Sequence, residues 1–548
     1  MSSCVNNNTP SCSDLSTKIS FFSWDTDAEY RKFVACQLKK YTSKRGIEKN
    51  EENRKKIYAY HEKLLSVYLL DFDSIRGKLA ELYSDKSHRH PFDPQAIIRS
   101  LMLMKALGEV SITKWVTMLE LEPLVAIFTG IHPDSLPSVG TYYNFLNRLE
   151  NGAFVPKSSQ RILNSDVRKA RMKGCIRSTS SKPKQKPEHG ENIGVMQKCV
   201  NETVAAEKDG ICDDLEARLN HILLEIAVKP SVDKKLMSRL DAVRVGGDGS
   251  TLKSDSSYSG KRLCSCRSKG IFRCDHNRKY SDPDSAWGWN NRIKDFVYGY
   301  RFFQMVALDA GHDLPLYLNI GPANDYEPRM AVRAIDRMSK TGMKIKEASF
   351  DALYDGYAVY RYLKHKNIDY AIPYHNTPAK CVYFDQEGIL FNEKGAPLCP
   401  AHKPMLLVGL DKQGRHIYHC PIKRTTHRNG KHVRVVRREE CPKASLCEPH
   451  SKMGPFVHVS DSIDLRLHPS IPRHHKRYRI LQNERSTCER SNSMKKHSYA
   501  MSHTKIRVMS YAFIALAFIS VLEHSRVWAK DILKERHITI DNCLSLFM

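Results

Sequence analysis

Over residues 242–373 short apolar runs alternate with helical stretches, and two of those runs lead into an aspartate. Ala242, Val243 and Val245 form a short strand candidate ending at Asp248, within Arg-Val-Gly-Gly-Asp-Gly-Ser-Thr. Residues 345–350 form another, ending at Asp351 in Ala-Ser-Phe-Asp-Ala-Leu-Tyr-Asp. Between them, 297–308 reads as a strand with 314–320 as its hairpin partner, and 327–339 reads as a helix. A helix over 357–366 and a strand over 369–373 follow. This order predicts an α/β core, and residues at strand C-termini face the mouth of such a sheet, where ligands bind. A third acid, Glu489, lies in the helical stretch Arg-Ser-Thr-Cys-Glu-Arg-Ser-Asn-Ser-Met-Lys-Lys. Arg485 stands one turn before it and Lys496 two turns after it.

Asp248, Asp351 and Glu489 can therefore point to one place. Clustered carboxylates repel one another and resist ionisation. Divalent cations relieve that repulsion, and Mg²⁺ suits a set of carboxylate and water oxygens. A pair of such ions is the arrangement that cuts and joins phosphodiesters. The overall charge favours the same kind of substrate. The 87 Lys and Arg outnumber the 60 Asp and Glu to give a net +27, and the pI is near 9.4. That excess favours a polyanion, nucleic acid first and an acidic membrane second.

Arg485-x3-Glu489-x6-Lys496, with Asp248-Gly249 after one strand and Asp351 followed by Tyr354-Asp355 after another, resembles the DDE transposases of bacterial insertion sequences. The last motif is similar to the Tyr-x2-Arg-x3-Glu-x6-Lys signature of the branch that cuts through hairpin ends, with Gln482 where that signature has Tyr. The resemblance extends over most of residues 88–530. It implies a ribonuclease-H-like catalytic fold, with Asp248, Asp351 and Glu489 as ligands of two Mg²⁺ ions, for which Mn²⁺ can substitute. It implies Arg485 and Lys496, with Arg490 and Lys495 beside them, as contacts to double-stranded DNA at transposon ends and target. It also implies a homodimer in a synaptic complex. The first alternative is a decayed or domesticated relative acting as a DNA-binding regulator, and the second a zinc-containing RNA-binding structural protein. Asp355 rivals Asp351 as the second acid, but Asp351 directly ends the strand, whereas Asp355 is better placed to cap the next helix. Hairpin-forming relatives stack a flipped base on tryptophan. Trp287 and Trp289 are the candidates here, with packing against the sheet the more ordinary use.

Two groups of the 16 cysteines have the residue types of a tetrahedral zinc site. Cys399, Cys420, Cys441 and Cys447, with His402 as substitute, fall between Asp351 and Glu489 as a cysteine-rich insertion, and Cys-Pro dipeptides recur among them. Cys264, Cys266, Cys274 and His276 form a second, knuckle-like set in a basic loop. Neither set looks catalytic. Buried or free thiols are the alternative for the first set, and a basic loop with incidental cysteines for the second.

The resulting organisation is a multidomain α+β and α/β chain. Residues 1–87 are polar and partly helical, with no function assigned. Residues 88–152 hold short helices capped by Asp93, Ser111 and Ser138, which suit a DNA-binding helical domain or, equally, a small helical bundle without DNA contact. A basic linker and helical segment (153–240) follows, then the first part of the catalytic core (241–378), the cysteine-rich insertion (379–470), the Glu489 part of the core (471–535) and a tail (536–548). Residues 471–507 are dense in Arg and Lys and are expected to lie along DNA phosphates. The first 14 residues lack the apolar run of a secretory leader. The apolar run 508–522 is shorter than the about 20 residues that span a bilayer. A buried core helix and a cytoplasmic, nucleoid-associated protein without membrane contact are therefore expected.

Overall fold

The computed structural model describes residues 23–43, 47–83, 92–152, 176–177, 193–291, 293–376, 383–384, 388–428, 431–437, 441–443, 447, 455–503 and 505–548. The expected linker sequence at 178–192 lies outside the described residues.

A helical N-terminal region precedes an α/β region. The central sheet is formed by β1 (Val243–Lys253), β2 (Ala286–Asn290), β3 (Asp295–Ala307), β4 (Pro315–Pro322), β5 (Ile345–Ser349) and β6 (Asp369–Ala371). The strand order is β2-β3-β1-β5-β6, with β4 also paired to β3. β1 runs antiparallel to β3 from Val245↔Ala307 to Lys253↔Gly299. On its other edge β1 pairs in parallel with β5, but only from Val243↔Ile345 to Gly246↔Ser349. β5 pairs in parallel with β6. The sheet is thus an antiparallel meander extended by two parallel strands.

β1 does not end at Asp248 as its apolar run predicts. The long partner β3 supplies backbone hydrogen bonds as far as Lys253, so polar residues continue the strand. Asp248 instead sits two residues past the end of the parallel pairing, where the β5 edge opens.

The N-terminal helices are α1 (Asp27–Ser43), α2 (Ile47–Tyr68), α3 (Pro94–Ala106), α4 (Ile112–Leu121), α5 (Pro123–Thr129) and α6 (Val139–Asn151). The expected caps are present. Asp93 accepts from Gln95 N, Ser111 from Lys114 N and Ser138 from Thr141 N. Gly108 follows α3 at φ +80°, a left-handed conformation that glycine adopts without a Cβ clash. α3 is buried along its whole length rather than on one face. Its Arg99 is fully buried, ion-paired to Asp27 and stacked 3.7 Å from the centroid of the Tyr30 ring. The described part of residues 1–87, expected to be polar and partly helical, supplies much of this packing through Tyr30, Val34, Leu38, Ile57, Leu64 and Leu65.

After α7 (Val195–Ala205) and α8 (Leu215–Leu223), the α/β region adds α9 (Glu327–Lys340), α10 (Tyr357–His365), α11 (Lys476–Glu484), α12 (Ser486–Ser493) and α13 (Met509–Glu535). α13 is long and apolar enough to cross a membrane, yet 89% of its apolar window is buried inside the protein. It packs on α2, α3, α8 and β4, so one apolar core joins the N-terminal helices to the sheet. The insertion after β6 forms a separate small sheet of Leu406–Leu410, His416–His419 and Phe456–Val459. Its own core includes Phe391, Cys399, Met405 and Tyr418.

α13 also carries a buried ion pair. Glu523 accepts from Lys495 Nζ at 2.5 Å and from Ser491 Oγ at 3.0 Å, and both charged side chains are wholly inaccessible. Burial pushes Glu523 up and Lys495 down, and each partner opposes the other's shift. Removing one partner leaves the other charge buried alone. Lys495→Met is expected to cost on the order of 3 kcal/mol, with the double variant Lys495→Met/Glu523→Leu recovering most of it. Thermal unfolding of the three proteins checks this; a single variant as stable as the parent would exclude a structural role for the pair.

Candidate active site

The ends of the parallel strands, the start of α9 and one face of α12 enclose a cavity of about 610 Å³. Asp248, Asp351 and Glu489 all line it. Each arrives by a different local rule. Asp248 is held by the β1–β3 ladder opposite Gln304. Asp351 follows β5 and caps a short 3₁₀ turn, accepting from Leu353 N at 2.8 Å. Glu489 projects from α12, which lies across β1 and β3.

The close approach of these elements depends on the glycines around Asp248. A Cβ at Gly246 would lie 2.7 Å from Cys488 Sγ on α12. At Gly247 it would lie 2.4 Å from the ring of Phe350, the residue before Asp351. At Gly249 it would lie 2.5 Å from Cδ of Glu327. All three distances are shorter than nonbonded carbon and sulfur contacts allow.

Glu327 is a fourth carboxylate in the cavity, one that the sequence analysis placed only as a helix start. It ion-pairs with Arg301 on β3, and burial raises its pKa. Its only sequence signal is an acidic residue in the first turn of a helix, which is too common to single it out. Glu327 and Asp351 both act on Asp248. Burial first, then the Glu327 charge and more weakly that of Asp351, push Asp248 up to about 7, against the opposing pull of Arg485 and a hydrogen bond from Asn492. The Asn492 amide donates to Asp248 Oδ2 at 2.7 Å, and Gln304 donates to Asn492 Oδ1 at 2.9 Å.

Glu489 is turned toward Arg485, with Oε1 2.9 Å from Nη2 and its side chain 60% exposed. Arg485 also stands 3.7 Å from Asp248 Oδ1. The guanidinium therefore bridges two of the three acids. The triad shares a cavity but is not among the groups whose ligand atoms converge within 4.8 Å.

The structure separates the four cations expected on DNA. Lys496 and Arg490 line the cavity. Arg490 is also paired to Asp313, 2.9 Å away. Arg485 is engaged between Asp248 and Glu489. Lys495 is a correction: it points into the core toward Glu523, not toward DNA. A π-helical turn over Met494–Ser498 continues α12 and presents these neighbouring lysines to different surroundings. Several other basic residues of 471–507 also have protein partners, some of them at the surface. Arg477 pairs with Glu347, Arg507 with Asp255, and Arg473 donates to the carbonyls of Ile372 and Arg466.

Asp355 is absent from the cavity lining. Arg466, at 2.7 Å, and Tyr360 bond its carboxylate. Nor does it cap α10; Gly356 holds that position. Gln482, at the position of the signature tyrosine, lies within hydrogen-bond distance of Ser349 Oγ, Phe350 O and Ala371 O, bracing the strand ends just before Asp351. The tryptophans pack on the surface of the sheet, Trp287 beside Tyr298 and Trp289 beside Phe296. Trp287 is 48% exposed and Trp289 45%, and Trp289 lies on the cavity rim with Phe296 edge-on at 5.1 Å.

Of the two cysteine sets, Cys264, Cys266, Cys274 and His276 come together, with all ligand atoms within 4.8 Å of one another. Cys399, Cys420, Cys441 and Cys447 form no such group among the described residues. Cys399 and Cys420 are buried, Cys399 within the core of the insertion. Asp27, Asp71 and Asp73 also converge, but Asp27 is already bonded to Arg99 and to Phe72 N.

Comparison with protein-family models, with curated proteins and with solved structures gives no match to this chain.

The raised pKa of Asp248 has a measurable sign. In the metal-free protein the folded state holds this proton up to about pH 7, whereas an unfolded aspartate releases it near pH 4. Folding therefore takes up a proton across that window, and stability is lost as pH rises through it. Asp248→Asn is expected to unfold at a higher temperature than the parent in EDTA, with the gap widening from pH 5 to pH 7 and levelling off above. A gap independent of pH would contradict the assignment.

Proposed function

We propose that this chain is a DDE transposase: it binds the terminal inverted repeats of its own insertion sequence and carries out metal-dependent DNA strand cleavage and transfer. The observation that carries this reading is the gathering of Asp248, Asp351 and Glu489, distant in sequence, at one cavity beside a meander-plus-parallel sheet. That sheet order supports a ribonuclease-H-like core. The net charge of +27 supports a DNA substrate.

The donor set fits a hard divalent cation. Asp248, Asp351 and Glu489 offer carboxylate oxygens at one cavity, with Glu327 beside them, and the repulsion among Asp248, Asp351 and Glu327 is what an added cation would offset. Asp248, Asp351 and Glu489 are the residues that would hold Mg²⁺ or Mn²⁺. Two such ions supply an activated oxygen nucleophile and charge stabilisation of the leaving oxygen. Around them, Asn492 orients the Asp248 carboxylate and Arg485 restrains Glu489. Lys496 and Arg490, at the cavity wall, are placed to meet phosphate oxygens. Trp289 offers an exposed ring on the rim, suited to stacking against an unpaired base. The N-terminal helices are assigned to repeat binding, and synapsis of two ends calls for a homodimer on DNA.

The test is strand cleavage of a DNA fragment carrying the inverted repeats that flank the coding sequence, with Mg²⁺ or with EDTA. The parent is expected to cut at the repeat boundary only with the metal. Glu489→Gln and Asp248→Asn are expected to lower cleavage by at least roughly 10²-fold, the scale of losing one electrostatic contact to the transition state, while repeat binding persists. Tight repeat binding by the parent with no cleavage in any divalent metal would favour a DNA-binding regulator instead.

A further inference from the structure

Residues 257–281 leave the sheet after β1 and return to it before β2. Among them only Cys266 is buried. The apolar residues of the excursion face outward: Leu263 is 54% exposed, Ile271 48% and Phe272 68%. Its regular structure is a 3₁₀ turn at Cys266–Lys269 and a ribbon of two two-residue strands, Lys261–Arg262 and Arg278–Lys279, to which Ile176–Arg177 adds a third. That ribbon sets Lys261 opposite Lys279 and Arg262 opposite Arg278, and like charges directly across a ladder are destabilising. A segment with no apolar core and a repulsive ladder needs another source of order, and small units of this kind use a disulfide or a bound metal.

The thiols and the imidazole supply the means. Cys264 Sγ lies 3.6 Å from Cys274 Sγ, and Cys266 Sγ lies 3.2 Å from His276 Nδ1. All four ligand atoms fall within 4.8 Å of one another. Tetrahedral zinc, with Zn–S about 2.3 Å and Zn–N about 2.0–2.1 Å, places sulfur atoms about 3.8 Å apart and sulfur about 3.5 Å from nitrogen. The observed edges lie within a few tenths of an ångström of those values. A disulfide would need about 2.05 Å.

From this geometry we propose that Cys264, Cys266, Cys274 and His276 bind one structural Zn²⁺, which organises the excursion between β1 and β2. Binding deprotonates the three thiols, so the centre carries a net charge of −1. That charge offsets the facing Arg and Lys pairs of the ribbon. Arg262 closes the loop from the other side, donating from Nη2 to Phe272 O at 2.5 Å. Four protein ligands leave no open position, so the ion is structural rather than catalytic. The proposal is independent of the reading of the Asp248 cavity.

The test uses the full chain purified under reducing conditions without added chelator. Metal analysis of the parent is expected to find zinc, and Co²⁺ exchange is expected to give thiolate-to-cobalt charge-transfer absorption. Cys264→Ser and Cys274→Ser are each expected to lose one equivalent of zinc relative to the parent, and His276→Ala to weaken its retention against a chelator. The Cys399→Ser/Cys420→Ser variant is expected to keep that equivalent. Limited proteolysis is expected to cut within 257–281 in the zinc-depleted parent and in Cys264→Ser, while the rest of the chain stays resistant. Parent protein that is folded and zinc-free would overturn the proposal. So would zinc that disappears only in the Cys399→Ser/Cys420→Ser variant, or mass spectrometry of the native protein showing a Cys264–Cys274 disulfide.

Discussion

The absence of side chains at Gly246, Gly247 and Gly249 is the constraint on which the cavity depends. Each glycine admits a different neighbour: α12 through Cys488, the Asp351 segment through Phe350, and the start of α9 through Glu327. A methyl group at any of the three would force one of these side chains, Cys488, Phe350 or Glu327, to move. Asp248 lies between them on the one strand bonded to both the antiparallel and the parallel parts of the sheet. The acids are thus gathered by backbone contact distance, and their mutual repulsion is a consequence that the fold tolerates.

Tolerance comes from polar groups placed around the acids and behind them. Asn492 and Arg485 meet Asp248, Arg301 meets Glu327, and Gln304 holds Asn492. Behind this layer, Ser491 and Lys495 reach Glu523 on α13. α13 in turn packs on α2 and α3. The helix that carries Glu489 is therefore fixed from two sides, by the sheet below it and by a buried polar network tied to the N-terminal helices.

The positive charge of the chain divides into two populations. Arg99, Arg244, Arg477 and Lys495 serve internal partners, which explains why a dense basic stretch is not by itself a nucleic-acid surface. Lys496 and Arg490 remain at the cavity wall, and the excursion at 257–281 projects further basic side chains outward. Position, not abundance, distinguishes the two, since Arg490 at the cavity wall is itself paired with Asp313.

Local rules made much of the architecture legible. The N-caps at Asp93, Ser111 and Ser138 and the strand-then-aspartate pattern at Asp351 follow from interactions within a few residues, so the sequence alone determined them. The full length of β1, the burial of α3, the inward turn of Lys495 and the membership of Glu327 in the cavity were decided only by tertiary structure. Each depends on a partner far away in the chain: β3 for β1, α2 and α13 for α3, Glu523 for Lys495, and Gly249 for Glu327. Sequence periodicity records which residues prefer burial or a turn, but not which distant surface will meet them.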